Sequence, residues 1–299
     1  MGLIQPLVSI CLPIYNGEKF LQEALDSIKN QTYENIELIV SDDNSIDNSI
    51  EIINNFKKSV SFPVFIYSHN PCGIGANWNN CVINANGEYI KFVFQDDVIL
   101  PTCIEKMVAA AILDAKTGIV YSKRDFLYDK NNSELQEWVN RYGNLHLGWK
   151  DLKIENLKPY EGSLFLKNDN LFEFPENKIG EPTTVLLKKE IFETIGYFST
   201  TLKQTLDAEY WYRVLKKYKV TFIDEELIYF RLHESQATAV NSKNYLNENE
   251  QFQSSLYNSL FWFLSFKNQK QFFFKFNTFG KIIKKILGYS RRVKRKLNL

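Results

Sequence analysis

Three clusters of carboxylates in this 299-residue chain have neighbours that suit chemistry. In EYIKFVFQDDVILP (88–101) an apolar run stops at Asp96 and Asp97 and resumes at Val98, Ile99 and Leu100. In IELIVSDDNS (36–45) a β-branched run ends at Asp42 and Asp43, and in LKQTLDAEYW (202–211) Asp207 and Glu209 open a segment of helical spacing. Side-by-side carboxylates repel unless a cation lies between them and a phosphate. A hard divalent ion such as Mg²⁺ or Mn²⁺ uses one or two carboxylates and completes its shell with phosphate oxygens and water. A carboxylate at a helix start can also take the proton of an attacking hydroxyl. Plainer readings stand beside these: a solvated turn or helix cap before Pro101, and helix N-terminal acids favoured by the dipole.

The elements that must position these groups are legible in the first hundred residues. LVSICLPIY (7–15), IELIVSDDNS (36–45), VFIYSHN (64–70) and the 88–94 run read as strands. Between them, Phe20, Leu21, Ala24, Leu25 and Ile28, then Ile50, Ile53 and Phe56 behind an Asp47 cap, then Ile74, Trp78, Cys81, Val82 and Ala85, recur at helical spacing. Such alternation predicts parallel strands joined by crossover helices on both faces. Ligands bind beyond the carboxyl ends of such strands. Tyr15 with Asn16, Asp42 with Asp43, His69 with Asn70, and Asp96 with Asp97 all fall at those ends. Further on, 182–198 reads as strand then helix, 207–217 as helix, and 220–233 as a strand pair.

Composition is that of a globular protein: 44% hydrophobic and 24% charged residues, with 23 Phe, 16 Tyr and 5 Trp. The four cysteines form no CxxC pair and read as reduced packing residues. MGLIQPLVSICLP carries no basic n-region, and no stretch approaches the roughly 20 apolar residues of a membrane span. A cytoplasmic setting is expected. The net charge of +1 conceals an asymmetry: residues 251–299 hold 11 basic and no acidic residues, leaving 25 basic against 35 acidic elsewhere.

LVSICLPIYNGEKFLQEALDSIKNQTYENIELIVSDDNSIDNS, HNPCGIGANWNNCVINANGEYIKFVFQDD and GEPTTVLLKKEIFETIGYF…LDAEYWYRVL, in that order, resemble the glycosyltransferase family 2 enzymes over roughly residues 7–235. The resemblance implies a GT-A, Rossmann-like α/β fold with a mostly parallel sheet flanked by helices, spanning 1–238; beyond it the aromatic and basic pattern of the chain itself reads as a helical extension at 239–299. The resemblance also implies a nucleotide-sugar donor, a divalent metal (Mg²⁺ or Mn²⁺), and inversion at the anomeric carbon. The setting it suggests is bacterial O-antigen or capsule synthesis on a glycan or lipid-linked glycan acceptor.

Carried onto this sequence, the family pattern puts Pro13 and Tyr15 beside the nucleotide base, with Asn16 and Glu18 near the same pocket. Asp43 accepts a hydrogen bond from the base, and Asn77 and Asn79 touch nucleotide and phosphate. Asp97 holds metal and Asp96 the donor ribose or sugar, while Gln95 stands where the family often carries an acid. Asp207 is the base and Glu209 its acidic companion. Glu181 and Thr183 meet acceptor or donor sugar, and His233 lies near the diphosphate or metal. Trp78, where an Arg is common, is expected to pack the third helix on the sheet.

The tail KIIKKILGYSRRVKRKLNL places Phe276, Phe279, Ile283 and Ile286 on one apolar face among lysines, a pattern suited to an anionic membrane surface. No nucleic-acid recognition motif accompanies it, and the aromatic stretch 252–279 suits a homodimer interface as well. Gly73 and Gly75 form only part of a GxGxxG fingerprint and follow the third strand, which argues against a dinucleotide oxidoreductase. A degenerate glycan-binding or scaffolding module is the non-enzymatic alternative, set against the joint presence of Asp43, Asp96, Asp97 and Asp207.

Overall fold

The sheet begins as expected, with β1 (Val8–Ile14), β2 (Ile36–Asp42), β3 (Val64–Ser68) and β4 (Tyr89–Phe92) separated by α1 (Glu18–Lys29), α2 (Ser49–Lys57) and α3 (Ile74–Asn84). The computed structural model describes residues 5–243 and 247–296. The side chains of 242–243 and 288–296 lie outside it, and with them the tail residues Arg291, Arg292, Lys294, Arg295 and Lys296. After β4 come β5 (Val98–Ile99), α4 (Cys103–Ala111), β6 (Thr117–Leu127), α5 (Ser133–Tyr142), β7 (Pro159–Glu161) and α6 (Gly162–Leu166). Then follow β8 (Val185–Lys188), α7 (Glu190–Ile195), α8 (Leu206–Val214), β9 (Lys219–Arg231) and the helices α9 (Ala237–Lys243), α10 (Asn249–Leu260), α11 (Phe266–Phe276) and α12 (Thr278–Lys296).

Strand order is β3-β2-β1-β4-β8-β6-β9-β5, with β7 also on β9. β1, β2, β3 and β4 are mutually parallel, and β6 pairs with β9 in parallel; β8, β5 and β7 run against their neighbours. Every residue of β1 and β2 is buried, as expected where helices cover both faces of a parallel sheet. One core layer lies under α1, α2 and α4 and gathers Leu21, Leu25, Ile53 and Met107. The other gathers Trp78 of α3, Trp211 and Tyr212 of α8, and Phe252, Leu256 and Phe272 of the C-terminal helices. The extension therefore shares the core of the α/β part. Glu248 ties them further, accepting from the backbone N–H groups of Lys203 (2.6 Å) and Gln204 (2.9 Å).

The 220–233 region is one long strand, β9, where the sequence suggested two. Its register against β6 slips between Ser122 and Lys123, and Asp224 and Glu225 bulge outward. Lys123 lies 2.9 Å from Asp224, and Lys106 pairs with Glu225. The acidic bulge mimics a turn, yet the strand continues to β5 and to the site.

Two strand-end loops are locked to each other. Asp47 accepts the N–H of Glu18 (3.0 Å) at the start of α1 and of Ser49 (3.0 Å) at the start of α2. Glu18 in return accepts from the backbone (3.0 Å) and side chain (2.7 Å) of Asn48, and Asn16, at φ 49°, accepts from Ile46 N–H (2.9 Å). Burial alone would raise the Asp47 carboxyl, but the Ser49 and Glu18 hydrogen bonds outweigh it and hold it below the usual range. One carboxylate caps two helices. Asp47→Ala is expected to lower stability at pH 7 by about 1–2 kcal/mol in urea unfolding. Since the folded-state value is depressed, the deficit is present above the unfolded carboxylate range and shrinks as pH falls through the folded one.

The apolar face expected from Phe276, Phe279, Ile283 and Ile286 is redrawn: Phe276 ends α11 and packs on Tyr257 (5.5 Å) and Phe272 (5.6 Å), Ile283 is half-buried, and on α12 the exposed apolar residues are Phe279, Ile282, Ile286 and Leu287, next to exposed Lys281, Lys284 and Lys285. Among the described residues, no helix is long and apolar enough to cross a membrane.

Candidate functional site

A cavity of about 710 Å³ opens beyond the carboxyl ends of β1, β2 and β4, where α/β sheets bind ligands. Pro13, Tyr15, Asp43 and Asn77 line one end; Asp96 and His233 line its side; Glu181 and Asp207 line the far wall.

At the first end, Tyr15 is 55% exposed and presents a free ring face. Its backbone is clamped by Gln95, which accepts from Tyr15 N–H (2.9 Å) and donates to Tyr15 C=O (3.1 Å). Gln95 thus shapes the loop. Gly17 packs so tightly on it that an added Cβ would come within 2.4 Å of Gln95 Oε1. Asp43 is buried and accepts from Cys72 N–H (3.2 Å), while Asp42 accepts Ser45 N–H (3.0 Å) and so braces the loop that follows β2. His69 lies 3.5 Å from Asp43 and 3.2 Å from the Asn77 amide oxygen, joining two cavity residues. β3 neighbours β2, and that pairing puts His69 beside Asp43.

The acidic pair at 96–97 divides differently from expectation. Asp97 is 1% exposed and points away from the cavity, accepting from the Thr183 hydroxyl (2.6 Å) and Arg231 N–H (3.1 Å). Burial, then the Asp96 charge, push its carboxyl well above the ordinary value. An ion in the cavity would meet Asp96, whose Oδ2 lies 3.0 Å from His233 Nε2. The other ring nitrogen of His233 lies 2.8 Å from Ser235 Oγ. At 3.0 Å from the Asp96 carboxylate, Nε2 is the N–H donor of that contact; with a cation between the two groups, the ring proton would sit on Nδ1 towards Ser235 and the Nε2 lone pair would turn to the ion, the usual arrangement of a metal-ligating histidine. One carboxylate and one imidazole suit a divalent ion whose remaining ligands are diphosphate and water oxygens. Among the described residues there is no cluster of three or more His, Cys, Asp or Glu side chains able to hold a metal by themselves.

Four other expected contacts lie outside the cavity: Thr183, engaged with Asp97, and Glu18, Asn79 and Glu209. Glu18 is engaged with Asn48, as described above. Asn79 donates to Phe198 C=O (2.9 Å) and accepts Phe198 N–H (3.0 Å). Glu209 is 3% exposed, paired with Arg213 at 2.9 Å and accepting from Ser255 (2.7 Å). Helical geometry explains two of these: residues two apart on a helix diverge by about 200°, so Asn77 and Asp207 face the cavity while Asn79 and Glu209 face inward. Trp78 packs as expected, 5.1 Å from Phe94 and edge-on to Phe198 at 5.2 Å.

On the far wall, Glu181 pairs with the nearly buried Arg124 (2.9 Å), which lies over the rings of Phe126 (5.0 Å) and Phe230 (5.8 Å). From Phe230, rings continue through Trp138 (6.1 Å) to Tyr142 (4.8 Å) and Phe174 (5.2 Å). Thr183 faces Asp97 in place of a sugar. Asp207 enters on the first turn of α8, and burial raises its carboxyl to about 7. The Ala208 N–H and Asn177 amide oppose that rise, while the Glu181 charge adds to it. A carboxylate so poised is half-deprotonated near neutrality and suited to general-base work. Gln204 closes the rim with α9, donating to Thr238 (3.3 Å) and accepting from Asn241 (2.8 Å).

Comparison with known proteins agrees with this geometry. The model of glycosyl transferase family 2 matches residues 9–196. An uncharacterized glycosyltransferase of Rickettsia typhi is 31% identical over 250 residues, 83% of this chain and 70% of the relative. Glycosyltransferase GlyG of Streptococcus pneumoniae is 29% identical over 225 residues, 75% of this chain and 70% of the relative. Among solved structures, S. aureus TarS in complex with UDP-GlcNAc superposes with a TM-score of 0.62 at 18% identity, covering 90% of this chain and 73% of that one. A Pyrobaculum calidifontis mannosyltransferase in complex with GDP-Man and Mn²⁺ gives 0.56 at 16% identity, covering 81% of this chain and 61% of that one. These likenesses carry the GT-A fold. With most of its length matched by the family model and its strand-end cavity in place, the chain belongs to glycosyl transferase family 2 and is a glycosyltransferase.

Proposed function

We propose that the protein transfers a sugar from a nucleoside diphosphate sugar, UDP-linked, to a hydroxyl of a glycan acceptor, inverting the anomeric carbon. The carrying observation is that one cavity joins a nucleotide-facing end (Tyr15, Asp43, Asn77), a carboxylate–imidazole pair (Asp96, His233) and a carboxylate poised near pH 7 (Asp207). The UDP-GlcNAc complex of TarS supports a uridine donor.

In this reading the Tyr15 ring covers one face of the base, and Asp43 accepts a hydrogen bond from its edge. Asp96 and His233 would hold Mg²⁺ or Mn²⁺, an ion that when bound neutralises charge on the departing diphosphate. The acceptor lies along the wall of Glu181 and Phe230, with the Trp138–Tyr142 rings offering apolar faces to further sugars. Asp207 takes the acceptor hydroxyl proton as that oxygen attacks the anomeric carbon. The attack comes from the face opposite the nucleotide, the bond to the diphosphate oxygen breaks, and the nucleoside diphosphate departs.

Donor hydrolysis across a panel of nucleotide sugars tests this, because water can take the acceptor's place. UDP-sugars are expected to be consumed, and a panel left intact overturns the reading. Asp207→Asn is expected to lower the rate by about 10²–10⁴-fold with donor binding retained. The base works deprotonated, so kcat/KM should rise with pH through an apparent pKa of about 7 and fall away below it. In calorimetry with UDP and Mn²⁺, Asp96→Asn is expected to weaken metal-linked binding by about 10–100-fold. Asp97→Asn, which keeps the shape of the buried side chain and the neutral state towards which burial pushes it, should leave it much closer to wild type.

A lipid-linked acceptor of bacterial O-antigen or capsule type, met at the cytoplasmic leaflet, fits the exposed apolar stripe of α12 among its lysines. Ile282→Glu with Ile286→Glu is expected to abolish co-sedimentation with vesicles rich in anionic lipid. Partitioning equal to wild type overturns the membrane reading. Dissociation of a dimer by the same substitutions would assign the stripe to a second copy instead.

A further inference from the structure

Residues 168–181, between α6 and the short turn before β8, are folded around a buried cation. Lys178 is fully buried and donates to the carbonyls of Leu171 (3.0 Å), Glu173 (2.6 Å) and Pro175 (2.5 Å). The neighbouring residue, Asn177, reaches Asp207 from behind the cavity lining. Its Oδ1 accepts the N–H groups of Ile179 (3.1 Å) and Gly180 (2.9 Å), so its amide NH₂ must turn the other way. There it donates to Gly180 C=O (3.0 Å) and to Asp207 Oδ2 (2.8 Å). Gly180 is fixed in turn: Trp211 of α8 donates its indole N–H to the Gly180 carbonyl (2.9 Å), and Gly180 sits at φ 127°, where a Cβ would be strained. The remaining oxygen of Asp207 accepts Ala208 N–H (2.7 Å).

We infer that Asn177 is the positioning residue of Asp207: its amide, locked by the turn that Lys178 holds, sets the plane of that carboxylate and favours its ionised form. The turn fixes which end of the amide faces Asp207, so the donor is built in before any substrate arrives. The charged and titratable groups around Asp207 are Glu181 from the turn before β8 and Tyr212 from its own helix, with Lys203 on the same cavity lining. Glu181 works against ionisation, and Asn177 is the side-chain donor opposing it. The inference rests on the transfer reading only in calling Asp207 the base; the titration of Asp207 does not depend on it.

Two variants separate the donor from the turn. N177D keeps an oxygen for the Ile179 and Gly180 N–H groups but replaces the donor with a second acid. N177S keeps a shorter oxygen for the turn, without charge and without reach to Asp207. The test follows the Asp207 carboxyl carbon by NMR against pH, its signal assigned by loss in D207N, with UDP-sugar hydrolysis profiled over the same range. The midpoint is expected to move up by about one pH unit in N177S and further in N177D, with the acidic limb of hydrolysis moving the same way. An unmoved midpoint in variants that bind UDP normally overturns the inference. Failure of both variants to fold also overturns it, because the role of Asn177 would then be the turn itself. A moved midpoint without hydrolysis by the wild type upholds the positioning and sinks the transferase reading instead.

Discussion

The site depends on a carboxylate that no substrate can reach. Asp97, buried beneath the end of β4, receives the Thr183 hydroxyl from the turn before β8 and the Arg231 N–H from the end of β9. Behind it, the fully buried Lys91 donates to Thr183 C=O and to Phe92 C=O (3.0 Å). A buried charge or unpaired polar group is costly, so this node tolerates little displacement of any of its three strands. Each member has a cavity residue beside it: Asp96 next to Asp97, Glu181 two residues before Thr183, and His233 two after Arg231. Arg231 tightens the arrangement, donating to Asp96 C=O (2.8 Å) while its guanidinium lies over Phe20 (4.5 Å).

The same economy governs charge. Five carboxylates line or underlie one cavity, and besides Asp43, which lies beside His69, the fold treats the other four differently. Asp97 is buried with two donors and held towards the neutral acid; Glu181 is ion-paired with Arg124; Asp96 faces an imidazole; Asp207 is partly desolvated with amide donors. Environments that push carboxyl groups apart in proton affinity allow one cavity to bind an anion and still accept a proton.

Much of this was legible beforehand. The β-α alternation located the sheet and the edge where polar strand ends converge, and the ordered motifs named Tyr15, Asp43, Asn77, Asp96 and Asp207, all of which line the cavity. Glu209 and Asn79 carried their own correction, since a spacing of two on a helix reverses direction and Arg213 stands four residues after Glu209. The exchange between Asp96 and Asp97 was not legible: the chain leaves strand geometry after Phe92, so strand alternation no longer says which side chain faces the ligand. Arg124 and Asn177 were invisible for a different reason. Each meets its partner across a long gap in sequence, 57 residues to Glu181 and 30 to Asp207, from segments without periodicity.

By itself, then, the sequence determined the parallel α/β core, the edge that carries the site and the kinds of group present there. Periodicity and strand ends are local properties, and hydrophobic patterning enforces them residue by residue. Tertiary structure alone decided which carboxylate is buried between the strands, which faces the cavity beside an imidazole, and which burial raises to about 7. Those outcomes depend on desolvation and on donors brought from distant segments, and neither exists until the chain has folded.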